Sequence, residues 1–243
     1  MSNNSWITPG WPAPANVRAL CTTRNGGVGS APYASFNLGD HVGDDPLSVA
    51  RNRSLLRARL PAEPLWLQQV HTSNVAEADR ATGIPQADAS VARRQNRVCA
   101  VLTADCLPIL LCDRHGTVVA AAHAGWRGLA GGVIEATIAA MGADPAALMA
   151  WLGPAIGPTA FEVGGEVRDT FLAHDENAAS AFVAHGDGKW LADLYRLARL
   201  RLTRSGIDQI SGGEYCTYRD SERFFSYRRE RTTGRMASLI WLS

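Results

Sequence analysis

The sequence predicts an α+β fold, and three observations carry that prediction. Three short apolar runs, at 98–102, 107–112 and 117–122, stand close together and are bounded by turn residues, as buried strands are. The link Asp113-Arg114-His115-Gly116 between the last two is polar and ends in Gly, which makes them a hairpin. Elsewhere longer stretches carry apolar residues at helical spacing, most clearly 190–204, with Leu191, Leu194, Leu197 and Leu202 on one face.

The other elements follow in order. After a Pro- and Asn-rich lead-in over residues 1–16, 17–23 reads as a strand running into Arg24-Asn25-Gly26-Gly27-Val28-Gly29-Ser30. Paired glycines allow backbone conformations closed to other residues, so this loop either brings Arg24 and bare amides to a ligand or simply turns at the surface. Asp45-Pro46 starts a helix through Val49, Leu55, Leu56 and Leu60, with the acid at the positive end of the dipole. Residues 64–70 form a strand ending at His71, and 79–90 a polar loop in which Asp88 pairs with an Arg. Past the hairpin, Ala124-Gly125-Trp126-Arg127-Gly128 is a Gly-rich turn feeding a helix through Val133, Ile134, Thr137 and Ile138. Its free amides together with Arg127 make an anion seat. A strand at 149–152 leads into the rigid loop Gly153-Pro154-Ala155-Ile156-Gly157-Pro158. Residues 161–164 then open a helix through Val167, Phe171 and Leu172, where Glu162 serves the dipole or lines a pocket. Gly206 ends the 190–204 helix. The tail holds Ser226-Tyr227-Arg228-Arg229, whose arginines are solvated or contact substrate, then a polar hinge at 232–235 and a closing strand at 237–242.

Length and composition narrow the function classes. A chain of 243 residues without repeat, low-complexity tract or linker reads as one domain over 1–243, able to bury about 70–75% of its unfolded surface. With 46% hydrophobic and 19% charged residues it is ordinary globular material. A net charge of +1 gives no global reason to bind nucleic acid. No run approaches the ~18 apolar residues of a membrane span, and the N-terminus lacks the basic and apolar regions of a signal peptide. The five cysteines are odd in number and sit in apolar surroundings, so they imply no disulfide scaffold. The expectation is a cytoplasmic, reduced monomer with thiolate chemistry available.

That chemistry centres on Cys106 and His123. A hairpin centred between Arg114 and His115 pairs Cys112 with Thr117, Leu110 with Val119, Pro108 with Ala121 and Cys106 with His123. Opposed Cβ atoms lie about 5 Å apart on one face, close enough for thiol and imidazole to share a metal ion or a proton. A one-residue slip would send them to opposite faces. Three active readings are open. With His71 the pair forms a three-ligand zinc site with its fourth position free; alternatively Cys106 is a nucleophile and His123 its base; or the set holds copper for phenol oxidation. A buried Cys beside a core His is the inert reading. Asp105, next to the thiol, is an acid/base, a ligand-orienting group or a turn residue.

Several stretches together resemble the YfiH-like family, also called laccase-domain proteins or peptidoglycan editing factors. They are Leu67-Gln68-Gln69-Val70-His71, Thr103-Ala104-Asp105-Cys106-Leu107-Pro108, Ala122-His123-Ala124-Gly125-Trp126-Arg127-Gly128 and Gly153-Pro154-Ala155-Ile156-Gly157. Thr22-Thr23-Arg24-Asn25-Gly26-Gly27-Val28, Asn37-Leu38-Gly39 and Arg223-Phe224-Phe225-Ser226-Tyr227-Arg228-Arg229 extend the likeness along essentially the whole chain. The resemblance implies layered mixed β-sheets flanked by helices, similar to cytotoxic necrotizing factor-like cysteine hydrolases. It implies a cytoplasmic enzyme whose His71, Cys106 and His123 bind zinc and serve catalysis; beside it, the residues themselves offer Arg127 with the Gly125–Gly128 turn, or Arg24 with the Gly26-Gly27 loop, as the substrate-binding seat for phosphate. The implied activities are phosphorolysis of adenosine, inosine, guanosine and methylthioadenosine, and deamination of adenosine. The family also carries a copper polyphenol oxidase label and a role in editing UDP-muramoyl precursors, which a Cys106 amidase would perform.

Overall fold

The computed structural model describes residues 6–243. In chain order its strands and helices are β1 (Val17–Cys21), α1 (Pro46–Arg57), β2 (Pro64–Leu65), β3 (Val75–Glu77), β4 (Ala89–Ala92), β5 (Val98–Thr103), β6 (Leu107–Asp113) and β7 (Val119–Ala124). There follow α2 (Trp126–Ala130), α3 (Val133–Met141), β8 (Leu148–Leu152), β9 (Glu162–Gly164), α4 (Gly165–Leu172), β10 (Phe182–Ala184) and β11 (Lys189–Ala192). The chain closes with α5 (Leu194–Arg204), β12 (Gln209–Gly212), α6 (Tyr227–Glu230) and β13 (Met236–Leu242).

The strands form a mixed six-stranded sheet ordered β12-β8-β6-β7-β4-β3, a four-stranded sheet ordered β1-β13-β5-β2, and a small sheet ordered β10-β11-β9. Side-chain alternation turns the two larger sheets into layers. On β6, Leu107, Ile109 and Leu111 pack with Ile134 of α3 and Leu197 of α5. Leu110 and Cys112 face the other way, onto Cys99 and Val101 of β5 and Ile240 of β13. The far face of the four-stranded sheet, with Ala100, Leu102 and Leu239, is covered by Leu56 of α1 and by Phe36 and Leu38. The order is therefore helices, sheet, sheet, then α1 with its loops. Each fully buried Leu or Ile in these layers contributes about 1.5–3 kcal/mol.

The hairpin differs from expectation by two residues. Cys112 pairs with Val119, Leu110 with Ala121, and Pro108 with His123. Asp113 causes the shift: its carboxylate accepts from the amides of Thr117 (2.7 Å) and Val118 (3.1 Å) and from the Thr117 hydroxyl (2.7 Å). Thr117 thus belongs to the loop, with Gly116 turning at φ +65°. A shift of two keeps every side chain on its face, so Cys106 and His123 remain on one side, as diagonal neighbours rather than opposed ones.

Three more expectations change. Only Pro64 and Leu65 of the 64–70 stretch enter a sheet ladder. The end of the supposed 79–90 loop leads into β4, an all-buried strand paired with β7. The 190–204 helix begins only at Leu194, where the Asp193 carboxylate caps the Arg196 amide, and Trp190 and Leu191 lie in β11. Among the described residues no helix is long and apolar enough to cross a membrane.

Candidate metal centre and active site

The ends of β6 and β7 and the turn after residue 70 meet at one point. His71, Cys106 and His123 offer ligand atoms that all lie within 4.8 Å of one another. The Cys106 sulfur is 4.0 Å from His71 Nε2, and the two imidazoles sit edge to face with centroids 4.8 Å apart. A tetrahedral zinc with the usual bond lengths separates an S and an N ligand by about 3.6 Å. The N, S, N donor set suits such an ion, which would draw the sulfur and His71 together by a few tenths of an ångström and the widest pair, now up to 4.8 Å apart, by more than that.

One buried carboxylate assembles the three. Pairing of β4 with β7 sets Ala89 against Ala122, so Asp88 falls opposite His123, whose amide donates to the Asp88 carbonyl at 2.7 Å. The Asp88 side chain accepts from His123 Nδ1 at 2.8 Å. It also accepts from the amides of Val70 (3.2 Å), His71 (3.0 Å) and Thr72 (2.7 Å) and from the Thr72 hydroxyl (3.0 Å). These bonds hold His71 at φ +62°, a conformation that needs such support. They also fix His123 so that Nε2 is the nitrogen left to face Cys106, the outer-shell device typical of metal-binding histidines. The expected Asp88–Arg pair is replaced by this network. Asp88 was hidden in the sequence because its partner lies 35 residues away across a ladder.

Electrostatics favour the charged pair. Burial pushes the Cys106 thiol up, but the positive His123 and hydrogen bonds from both histidines outweigh it and bring the pKa down to about 6. Burial disfavours the His123 cation, yet the Cys106 thiolate and Asp88 raise its pKa to about 9. Desolvation of Asp88 is likewise outweighed, chiefly by the His123 bond, and its carboxyl sits at about 2. Cys21, Cys99 and Cys112 lack such partners; burial drives each up to about 12. All five cysteines are free.

Cys106 is placed by its neighbour. Asp105, at φ +89°, accepts from the hydroxyls of Thr217 (2.6 Å) and Ser226 (3.0 Å) and from the Arg228 amide (2.7 Å). Its carboxylate is thus engaged in tying the thiol's turn to the C-terminal segment. On the far side Gly125 approaches so closely that a Cβ there would lie 2.9 Å from the Cys106 sulfur and 3.1 Å from His71 Cδ2.

Two clefts open onto the cluster and share His71, Ala104, Cys106 and Tyr227. The first, of about 230 Å³, is aromatic and basic, lined by Trp126, Arg127, Phe161 and Arg228. Arg127 lies over the Trp126 ring at 4.5 Å, and Arg228 over Phe161 at 5.3 Å while donating to the Glu162 carbonyl. The second, of about 390 Å³, is more polar, lined by His41, Gln69, Thr103, His123 and Arg235.

Not every predicted site residue comes to the cluster. Arg24 donates to Glu230 (2.9 Å) and to the carbonyls of Ala34 and Ser221, and lines neither cleft. The neighbouring loop amides are also engaged, Gly27 by Ser35 Oγ and Val28 by Asn52 Oδ1. Arg229 donates to the carbonyls of Thr217, Tyr218 and Phe224. The Glu162 side chain is exposed, 3.6 Å from His185. The Gly125–Gly128 turn opens only a five-residue helix, α2.

The family model described as multi-copper polyphenol oxidoreductase laccase matches residues 18–243. A Pseudomonas aeruginosa protein named purine nucleoside phosphorylase is 57% identical, over 98% of this chain and 99% of its own length. The Escherichia coli K12 purine nucleoside phosphorylase YfiH is 56% identical, over 97% and 98%. A solved Neisseria meningitidis structure superposes with a TM-score of 0.96 at 56% identity, over 98% of this chain and 99% of its own. With near-complete coverage and a fold shared throughout, this chain belongs to the YfiH-like, laccase-domain family.

Proposed function

We propose that this chain is a zinc-dependent purine nucleoside phosphorylase acting on adenosine, inosine, guanosine and methylthioadenosine, with adenosine deaminase activity. The observation that carries the reading is the junction of an aromatic cleft and a polar cleft at the His71–Cys106–His123 cluster. Relatives at 56–57% identity bear the phosphorylase name. We further propose a single-domain monomer working in the cytoplasm.

Trp126 and Phe161 offer π-faces to a purine, a kind of stacking worth about 1–3 kcal/mol per base. Arg127 and Arg228 sit at the same wall, where they contact the polar edge of base or ribose. In phosphorolysis a phosphate oxygen bonds to ribose C1′ as the C1′–N9 bond breaks. The electron pair leaves with the base, and the proton of hydrogenphosphate ends on the base nitrogen. In deamination water adds at C6 and ammonia departs. His71, Cys106 and His123 would hold zinc, which when bound supplies Lewis acidity and a water acidic near pH 7. Asp88 keeps the His123 tautomer, and Asp105 the position of the thiolate.

Zinc-loaded protein should release hypoxanthine and ribose 1-phosphate from inosine only when phosphate is present, and lose that activity to a chelator. Absence of turnover on all four nucleosides, with and without phosphate, refutes the proposal. The acidic Cys106 thiol beside His123 supports a second reading, a cysteine amidase acting on UDP-muramoyl precursors. That enzyme would survive zinc stripping. Copper is a third occupant, consistent with the family description, and would show as oxygen consumption by copper-loaded protein when a phenol is supplied as the electron donor.

A further inference from the structure

The polar cleft carries two features that the nucleoside reading leaves unused. The first is Arg235. Its guanidinium lines the cleft beside Cys106 and His123. Nη1 donates to the carbonyls of Thr233 and Gly234, both at 3.0 Å, and among the described residues no carboxylate lies within ion-pair distance. Cys106 and Asp105 act on this cation only from beyond bonding distance, and a guanidinium set into a concave wall with no anion bonded to it is a recognition element for one. The second is Thr103. It is 2% exposed, lines the same cleft, and its hydroxyl is buried with no hydrogen-bond partner. Buried hydroxyls almost always have a partner, and an acceptor entering this cleft beside Thr103 would supply the one its hydroxyl lacks within the protein.

Both groups are held in place. Thr103 ends β5 and pairs with Met236 of β13, so Arg235 lies next to that register position. The Arg235 amide donates to Asn37 Oδ1 at 2.9 Å, its carbonyl accepts from Leu38, and its side-chain stem packs against Gly39, where a Cβ would meet Cγ at 2.8 Å. The Asn37-Leu38-Gly39 turn therefore aims the guanidinium, and it is preorganised before any ligand arrives. Of the other candidate cations, Arg24 is paired with Glu230, while Arg127 and Arg228 line the aromatic cleft on the side assigned to the nucleoside.

We propose that Arg235 and Thr103 form the seat for inorganic phosphate, on the opposite side of Tyr227 from the purine. The inference rests on the phosphorolysis reading and adds where the co-substrate binds. The seated phosphate accepts from the Arg235 guanidinium and the Thr103 hydroxyl and presents a further oxygen toward the cluster, where ribose C1′ arrives from the aromatic cleft. The bond made is O–C1′, the bond broken is C1′–N9, and no redox partner is needed.

The test uses full-length, zinc-loaded wild type, Arg235→Met, Arg235→Lys and Thr103→Val, with circular dichroism and zinc content as controls for folding. Phosphate and inosine are varied separately, and melting temperature is followed against phosphate without nucleoside. Arg235→Met should raise the phosphate KM about tenfold or more, the loss of a charge-assisted hydrogen bond, with the inosine KM changed less than about twofold. Arg235→Lys should fall between, and Thr103→Val should raise the phosphate KM severalfold. Phosphate should raise the melting temperature of wild type and not of Arg235→Met. A phosphate KM within about twofold of wild type in Arg235→Met overturns the seat while leaving phosphorolysis intact. If wild type itself shows no phosphate-dependent turnover, the phosphorolysis reading has failed; equal phosphate stabilisation of wild type and variant then overturns the seat as well. Should Arg235→Met not fold, the same comparisons on Arg235→Lys and Thr103→Val decide.

Discussion

Replacing Asp88 with Asn measures how much of the site one carboxylate holds together. Its two oxygens accept five hydrogen bonds, from Val70, His71, Thr72 (amide and hydroxyl) and His123. Asn turns one acceptor into a donor. If the amide nitrogen takes the Oδ1 position it meets the His71 amide and His123 Nδ1; at Oδ2 it meets the Val70 and Thr72 donors. Either orientation loses at least two charge-assisted bonds, each about 1.5–3 kcal/mol, or about 3–6 kcal/mol together. The depressed acidity gives an independent figure. A carboxyl at about 2 in the fold against 3.8 outside it corresponds to roughly 2–3 kcal/mol. Because the folded pKa is the lower one, this stability is present above about pH 4 and is lost as pH falls toward 2. Urea unfolding of metal-free Asp88→Asn at pH 7 should therefore show a loss of about 2–6 kcal/mol. The gap to wild type should narrow as pH drops from 4 toward 2. Zinc affinity, read against a chromophoric chelator, should fall about 10–100-fold through loss of the His123 tautomer. A variant within about 0.5 kcal/mol of wild type at pH 7, and within about twofold in zinc affinity, would refute the assignment of Asp88 as the organiser.

Two further perturbations probe the same cluster. Gly125→Ala places a methyl 2.9 Å from the Cys106 sulfur, although φ −60° suits alanine; the strain should cost about 1–3 kcal/mol and zinc content should drop, and normal metal occupancy would show that the sulfur has room. In zinc-free protein, iodoacetamide should label Cys106 with a rate that rises through about pH 6 and then levels, because its thiolate forms there, while Cys21, Cys99 and Cys112, at about 12, stay unlabelled. Zinc should protect it; a labelling midpoint near that of an ordinary thiol would refute the thiolate–imidazolium pair.

The α+β class and the central hairpin were legible because apolar runs and turn residues act locally. The meeting of Cys106 and His123 survived a register two residues off, since a shift of two leaves β6 and β7 facing the same way. What was illegible depends on partners distant in sequence. Asp113 set the register through its own side chain, and Asp88 gained its role only once β4 lay beside β7. Residues 66–70 have a strand's composition but make only a single bridge, Gln68 with Gln86, and are otherwise held by Asp88 and Gln69 contacts. Arg24 stands beside glycines as a ligand-binding arginine would, yet Glu230, 206 positions on, claims it. Arg235 drew no notice because a single Arg in a polar segment has no local mark of burial.

The acidity of Cys106 is a property of the finished molecule. Its ring partners arrive from the turn after residue 70 and from β7, and its backbone is pinned through Asp105 to Thr217, Ser226 and Arg228, more than a hundred positions downstream. A chain still being made, or one that has lost its C-terminal segment to unfolding, carries only a commonplace thiol at this position. The lowered pKa of this sulfur therefore reports the assembled fold, and its loss would mark detachment of the C-terminal segment before the rest of the chain need unfold.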